Sequence, residues 1–165
     1  MKTLLLVRHA KSSWEEPGVQ DIDRPLNERG KQDAPEMAKR IKDKKIDIDL
    51  FVSSPAKRAR RTAKFFTEEF DVKKGDIIIE EELYLASPSN FINVIKGLQK
   101  KYDTVALFAH NPGITELANQ LTSVRIDNMP TCSVFAVNAH TDSWKQFDIA
   151  EKDFLFFDYP KNPLP

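Results

Sequence analysis

The sequence predicts a three-layer α/β/α sandwich whose mostly parallel sheet carries an antiparallel edge. The main observation is an alternation: short apolar runs typical of buried strands are each followed by an amphipathic pattern typical of a helix, up to about residue 122. The alternation then stops, and two further short runs separated by a turn indicate a late hairpin. Parallel strands joined by helical crossovers are covered by helices on both faces, which gives three layers.

The first half of the chain is predicted to contain two strands, two helices and one long loop. Residues 2–7 and 49–53 form the strands, and residues 27–44 and 55–70 form the helices. Residues 8–25 connect the first strand to the first helix. Loops of this length are uncommon unless they carry function, so this loop is a candidate for part of a site.

Individual residues indicate how these helices begin. Asn27 is a suitable N-cap, with Leu26 before it as a hydrophobic staple. Pro35 lies inside the helical pattern and is expected to kink the first helix or to delay its regular part. Pro55 is expected in the first turn of the second helix, where a missing backbone N–H is tolerated.

The alternation continues through the middle of the chain. A short strand at residues 77–80 precedes a helix that opens at Ser87 and Pro88. Residues 103–109 form the next strand and residues 113–122 the next helix.

The C-terminal part is predicted to be different. Residues 132–138 and 144–150 are expected to pair as a hairpin with His140 in its turn, so His140 is excluded from the site. Cys132 is expected to be a packed core thiol. Residues 154–165 are rich in aromatic residues and proline without a periodic pattern, and are expected to form an extended tail over the domain.

Composition indicates one domain over residues 1–165, because 41% hydrophobic residues in a chain of this length suit a single core. The 25 basic and 25 acidic residues balance, which argues against a nucleic-acid partner. The single cysteine excludes an internal disulfide and fits a reducing compartment. No segment has the pattern of a membrane span or a signal peptide. We therefore expect a cytoplasmic monomer without a membrane partner.

Basic and imidazole side chains follow three of the predicted strands. Arg8 and His9 follow the first strand, Arg58 comes just after the second, and His110 follows the strand at residues 103–109. Because the carboxyl ends of parallel strands meet at one edge, these side chains should line one pocket. Arginine is a permanent planar cation for phosphate, and a neutral imidazole can attack phosphorus. Two histidines without a nearby cysteine or an H-E-x-x-H spacing are a poor zinc signature, so neither a metal nor another cofactor is expected.

Four segments resemble the histidine phosphatase superfamily, which includes the phosphoglycerate mutases, and are most similar to its SixA-type branch of phosphohistidine phosphatases. They are residues 8–14 (RHAKSSW), 21–30 (DIDRPLNERG), 53–63 (SSPAKRARRTA) and 110–112 (HNP). The resemblance implies a phosphoglycerate mutase-like fold and a metal-independent phosphatase with a single histidine phosphatase domain.

The resemblance also implies roles for single residues. His9 would be the nucleophile, and His110 the second imidazole of the pocket. Arg8, Arg24 and Arg58 would bind the phosphoryl group. The chain departs from the family pattern at Ala10, where the family has glycine, and alanine is unfavourable if that position needs a positive φ.

A general acid is harder to place. Glu82, just beyond the third predicted strand, is the first candidate, and Asp21 and Asp23 in the long loop are the others. Each carboxylate is more often an ordinary surface residue. If none of them protonates the leaving group, the protein should prefer phosphoramidates, whose imidazole is expelled more easily than an alkoxide.

Three functions remain open from the sequence. The leading one is hydrolysis of phosphohistidine in a partner protein, through a phosphohistidine intermediate on His9. The second is a phosphatase for a small phosphorylated metabolite, or a mutase, although mutase relatives are longer and carry capping segments. The third is a module that binds phosphate without chemistry, which would need only the arginines and not His9.

Overall fold

The computed structural model describes residues 1–72 and 76–163, and within them six strands form one sheet in the order β3-β2-β4-β1-β5-β6. The strands are β1 (Lys2–Arg8), β2 (Leu50–Ser53), β3 (Ile77–Ile79), β4 (Thr104–Ala109), β5 (Val134–Ala139) and β6 (Lys152–Asp158). The helices are α1 (Glu28–Asp43), α2 (Lys57–Glu69), α3 (Pro88–Lys96) and α4 (Gly113–Leu121). The first four strands run parallel, and β5 and β6 extend the sheet antiparallel. The predicted fold class is confirmed.

Alternation of side chains along β1 divides the core into two layers. Leu4 and Leu6 pack against α3 and α4, whereas Leu5 and Val7 pack against α1 and α2. All four side chains are fully buried. A strand covered on both faces reads as a continuous apolar run, and for this reason β1 could be identified in the sequence.

The register of the sheet decides which side chains meet at its carboxyl edge. Arg8, the last residue of β1, lies opposite Ala109, the last residue of β4. His9 and His110 therefore leave adjacent strands side by side. The neighbouring β2 is paired with β4 up to Ser53 opposite Phe108, so Ser54 reaches the same edge.

The helix starts follow local chemistry, with one departure at Pro55. The Asn27 side chain accepts a hydrogen bond from Gly30 N at 2.9 Å, as an N-cap should. Pro35 lies within α1 without delaying it, since the helix begins at Glu28. Pro55 precedes α2 rather than occupying its first turn, because the N-cap residue is Ala56.

The prediction for the C-terminal hairpin is wrong in its second strand. Residues 144–150 do not pair with β5; Trp144–Gln146 form a short 3-10 turn instead. Trp144 and Phe147 are three residues apart, so one turn directs both into the core, where both are fully buried. His140 follows β5 and is exposed, as expected.

The predicted extended tail at residues 154–165 is also wrong, because Lys152–Asp158 form β6 on the open edge of β5. Pairing satisfies backbone groups that an unpaired edge would leave to solvent. Only residues 159–163 continue beyond the sheet, and residues 164–165 lie outside the described part. Within residues 1–72 and 76–163, none of the helices has the length and apolar character needed to span a bilayer.

Candidate active site

A cavity of about 300 Å³ opens at the carboxyl edge of the sheet. It is lined by Arg8, His9, Arg24, Arg58 and His110, which come from the ends of β1 and β4, the first turn of α2 and the long loop. Each of the five is named by the sequence analysis, and the structure brings them together. The sixth predicted site residue, Glu82, does not line this cavity.

His9 is held in one orientation and is kept neutral by its surroundings. Its Nδ1 lies 2.7 Å from the carbonyl oxygen of Ala10, so Nδ1–H donates to that oxygen and Nε2 carries the lone pair. Burial lowers the pKa of His9 to about 3; the hydrogen bond to Ala10 opposes this shift, and the charges of Arg58, Arg8 and Arg24 add to it. An imidazole with one nitrogen tied and the other unprotonated can act as a nucleophile at neutral pH.

His110 faces His9, with ring centroids 5.2 Å apart. Its Nε2 lies 2.7 Å from Ser54 Oγ, which itself accepts a hydrogen bond from Ala56 N at 3.1 Å. We assign the Ser54 hydroxyl as donor to Nε2, which places the imidazole proton on Nδ1. His110 Nδ1 is buried without a hydrogen-bond partner in the described chain, so it is free to donate to an oxygen of a bound group. Burial lowers the pKa of His110 to about 3, and the proximity of His9 and Arg58 adds to this shift.

Asp21 joins two of the arginines. Arg58 Nη2 donates to Asp21 Oδ2 at 3.0 Å and Arg58 Nη1 to the Asp21 carbonyl at 2.6 Å. Arg24 Nε donates to Asp21 Oδ1 at 3.2 Å, and the Tyr84 hydroxyl donates to Oδ2. Desolvation opposes ionisation of Asp21, but the hydrogen bonds from Tyr84, Arg58 and Arg24 prevail and lower its pKa to about 2. Asp21 therefore orients the arginines and, as a permanent anion near neutral pH, is unsuited to act as a general acid.

Arg24 and Arg8 have further contacts. Arg24 Nη1 donates to Ser12 Oγ at 2.7 Å, and the guanidinium lies 3.5 Å from the ring centroid of Trp14, which is 79% exposed. Arg8 Nη1 donates to the Met129 carbonyl at 2.8 Å. The three guanidinium groups and the carboxylate of Asp21 together contribute a charge of about +2, which suits a phosphoryl dianion, and Lys11 adds a further cation at the rim.

Glu82, the first candidate for a general acid, does not line the cavity, contrary to the expectation from the sequence. It lies in a short 3-10 turn, Glu81–Leu83, that buries Leu83 and leaves Glu82 exposed. Asp23, the remaining candidate, is exposed as well. Within residues 1–72 and 76–163, no aspartate or glutamate lines the cavity.

Two residues that the sequence did not single out, Ser54 and Thr62, form hydrogen bonds that position the cavity residues. Thr62 Oγ1 accepts from Ala10 N at 2.9 Å and donates to the Arg58 carbonyl at 2.7 Å, which ties the residue after His9 to α2. Ser54 and Thr62 both stand in the matched segment 53–63, so their positions in the motif were the available signal. Ala10 is not among the residues with positive φ, so replacing the family's glycine introduces no backbone strain there.

The loop after His9 is fixed by the start of α1. Asn27 N donates to the Lys11 carbonyl at 3.0 Å, and Ser13 N donates to the Pro25 carbonyl at 2.8 Å. Gly30 lies so close that a Cβ there would be 2.2 Å from the Lys11 carbonyl oxygen. Cys132 lies behind this loop: its N–H donates to the carbonyls of Arg8 and His9 at 3.0 Å each, and burial raises the pKa of its thiol. It is a core thiol, although it precedes β5 rather than lying within it.

Metal-binding clusters are not seen in the described part of the chain. Among residues 1–72 and 76–163, no group of three or more His, Cys, Asp or Glu side chains is arranged to hold a metal ion. The cations that line the cavity are Arg8, Arg24, Arg58 and Lys11. Phosphate binding can therefore be provided by the chain itself.

Comparisons with known proteins identify the family of this chain. The model of the histidine phosphatase superfamily (branch 1) matches residues 4–84. An uncharacterized protein of Mycobacterium tuberculosis is 30% identical over 118 residues, which cover 72% of this chain and 71% of that protein. Phosphoserine phosphatase 1 of Hydrogenobacter thermophilus is 39% identical over 84 residues, 48% of this chain and 39% of that protein.

Structural similarity extends over nearly the whole chain. A crystal structure assigned to a phosphohistidine phosphatase SixA of Agrobacterium tumefaciens superposes with a TM-score of 0.81 at 26% identity. The superposition covers 96% of this chain and 98% of that one. By sequence, by fold and by the family match, this chain belongs to the histidine phosphatase superfamily.

Proposed function

We propose that this protein is a phosphohistidine phosphatase, which removes the phosphoryl group from a histidine of a partner protein through a covalent intermediate on His9. The observation that carries the proposal is the composition of the cavity. It contains a neutral imidazole and three arginines, but none of the aspartates or glutamates of the described residues lines it. This combination suits a substrate whose leaving group needs little help from a carboxylic acid.

The leaving group distinguishes the candidate substrates chemically. A phosphate ester expels a strongly basic alkoxide unless an acid protonates it in the transition state. A phosphohistidine expels an imidazole, which protonates near neutral pH and can take its proton from solvent. A cavity without a carboxylic acid therefore hydrolyses the P–N bond more readily than the P–O bond of an alkyl ester.

In the first step, the lone pair on His9 Nε2 attacks phosphorus as the bond from phosphorus to the substrate nitrogen breaks. The Nδ1–H of His9, donating to Ala10 O, stabilises the positive charge that develops on the ring. Arg8, Arg24 and Arg58 balance the charge on the three equatorial oxygens, and His110 Nδ1–H donates to one of them. The freed imidazole of the substrate leaves with a proton from water.

In the second step, water attacks the phosphorus of the phosphorylated His9. The N–P bond breaks, its electrons return to Nε2, and phosphate leaves after losing a proton to solvent. Both steps use the same cations, so the site needs no rearrangement between them. No metal takes part in this scheme.

A phosphatase for a small phosphomonoester is the second candidate. It is supported by the 39% identity to a phosphoserine phosphatase, although that match covers only 48% of this chain. The two candidates agree on His9 as nucleophile and differ in the leaving group. Substrate preference therefore separates them.

The test is a panel of substrates measured as kcat/KM: a phosphohistidine peptide, phosphoramidate, a phosphoserine peptide, a glycerate phosphate and an aryl phosphate. We expect the P–N substrates to exceed the alkyl esters by at least about tenfold, with the aryl phosphate hydrolysed slowly. Brief exposure to labelled substrate should leave an acid-labile, base-stable phosphoryl group on His9, and His9→Ala should lower kcat by at least about a thousandfold.

Two controls accompany the panel. Chelation of divalent metals should leave activity unchanged, and a strict requirement for added metal would contradict the scheme. If a glycerate or serine phosphate is the better substrate by tenfold or more, the metabolite phosphatase is the correct reading.

A further inference from the structure

We propose that a second cavity, next to the active site, binds a carboxylate of the substrate protein close to its phosphorylated residue. This inference rests on the proposed function and adds to it a preference for acidic substrates. We call this cavity the basic subsite, defined by Lys11, Arg29, Asp33, Tyr159 and Lys161. It has a volume of about 250 Å³.

The basic subsite is continuous with the active site. Lys11 and Thr131 line both cavities. Lys11 is two residues from His9. A substrate that places its phosphoryl group on His9 and extends toward the basic subsite therefore passes Lys11. Groups in the basic subsite therefore contact the part of the substrate that is released with the leaving group.

The charges of the basic subsite select an anion. Arg29 Nε donates to both carboxylate oxygens of Asp33, at 3.1 and 3.2 Å, and Asp33 is only 7% exposed. This pair is internally neutralised. Lys11 and Lys161 are exposed, and neither forms an ion pair within the described residues, which leaves a net charge of about +2 open to a ligand.

The far wall of the basic subsite is held firmly. It consists of the segment after β6, whose carbonyl groups are bound by Arg40. Arg40 donates to the carbonyls of Tyr159, Pro160 and Asn162 at 3.2, 3.1 and 3.0 Å, and its side chain is 11% exposed. A segment anchored by three hydrogen bonds from one guanidinium presents Lys161 at a defined place, so little further ordering is needed when a ligand binds.

A carboxylate is the anion that the proposed substrate supplies. A glutamate or aspartate beside the phosphorylated histidine of a protein can supply this carboxylate, whereas a second phosphate would come from a small metabolite. Ion pairs of exposed lysines contribute up to about 1 kcal/mol each, so a glutamate in reach of Lys161 should raise kcat/KM about fivefold.

The experiment compares two phosphohistidine peptides that differ only in having Glu or Gln beside the phosphorylated residue, with phosphoramidate as a substrate that has no flanking segment. Wild-type protein should prefer the Glu peptide about fivefold. Lys161→Glu should abolish or reverse this preference and leave phosphoramidate turnover unchanged within about twofold. Lys145→Glu is the matched control, since Lys145 is an exposed lysine outside both cavities, and it should keep the preference.

A second measurement does not depend on turnover. Unphosphorylated Glu peptide, added in the presence of vanadate, should shift the backbone amide signals of residues 159–161, and the Gln peptide should shift them less. Equal kcat/KM for the two peptides in wild type, or no amide shifts at millimolar peptide, would overturn the basic subsite. If both peptides are poorer substrates than the phosphoserine peptide while the amide shifts persist, the proposed function is wrong and the basic subsite is supported. If only a bisphosphorylated compound causes the shifts, the basic subsite binds the second phosphate of a metabolite, and the carboxylate proposal is wrong.

Discussion

Replacing Gly30 by alanine tests whether close packing against the loop that follows His9 outweighs helix propensity. Gly30 lies in the first turn of α1, where alanine is favoured over glycine by up to about 1 kcal/mol. A Cβ at this position would lie 2.2 Å from the Lys11 carbonyl oxygen and 3.0 Å from Lys11 N. Both contacts are to backbone, so a rotamer change cannot relieve them, and about 1 Å of movement is required.

The expected loss of stability follows from these contacts. Overpacking of this kind costs about 1–3 kcal/mol, and the same Lys11 carbonyl also accepts from Asn27 N at 3.0 Å, a hydrogen bond worth about 1 kcal/mol. After the gain in helix propensity, Gly30→Ala should lower the free energy of unfolding by about 2 kcal/mol. Because Lys11 is two residues from His9, a shift of about 1 Å should also lower kcat by up to about a hundredfold.

Gly97→Ala is the matched control for this prediction. Its Cβ would lie 3.5 Å from the Val94 carbonyl oxygen and 3.6 Å from that of Asn93, which are ordinary contacts, and its φ of −84° suits alanine. Urea unfolding and steady-state kinetics should show this variant within about 0.5 kcal/mol of wild type and fully active. A Gly30→Ala variant as stable and as active as Gly97→Ala would refute the reasoning.

Three further predictions concern the cavity. Asp21→Asn should lower kcat/KM for phosphoramidate by about tenfold or more, because Arg24 and Arg58 lose their common acceptor. Glu82→Gln should leave kcat/KM within about twofold of wild type. Equal losses of kcat/KM in the two variants would contradict the placement of Glu82 outside the cavity. Ser54→Ala should weaken inhibition by phosphate about tenfold by removing the hydroxyl that fixes the His110 tautomer, and nitrogen NMR should then show a mixture of tautomers. Unfolding measured between pH 6.5 and 5 should show that the free energy of unfolding decreases as the pH is lowered. The unfolded chain binds protons on His9 and His110 below about pH 6.5, whereas the folded chain binds them only near pH 3. The slope approaches about 2.7 kcal/mol per pH unit, and a flat profile would be inconsistent with two neutral buried imidazoles.

The sequence by itself determined the parallel part of the fold and five of the residues that line the cavity. A strand buried on both faces must be continuously apolar, so residues 4–7 could be recognised without neighbours. Helix starts depend on local hydrogen bonds, so Asn27 and Ser87 could be identified as caps. Arg8, His9, Arg58 and His110 follow strand ends, and the topology of a parallel sheet brings such residues to one edge.

The C-terminal edge could not be read from local patterns. Residues 144–150 look like a strand, yet a 3-10 turn at Trp144–Gln146 directs Trp144 and Phe147 into the core. The aromatic run of β6 looks irregular because an edge strand is only partly covered. Whether such a segment pairs depends on the open edge of β5, which is a long-range property. The expected cytoplasmic location and monomeric state remain predictions.

Only the tertiary structure decided which carboxylate contacts the arginines and which lie in solvent. Asp21, Asp23 and Glu82 are equivalent in a sequence, because each lies near a predicted site element. Folding places Asp21 between Arg24 and Arg58 with the Tyr84 hydroxyl on it, and leaves Glu82 in solvent. A carboxylate becomes an acid, an anchor for arginines or a surface group according to the charges that surround it, and those charges come from distant parts of the chain.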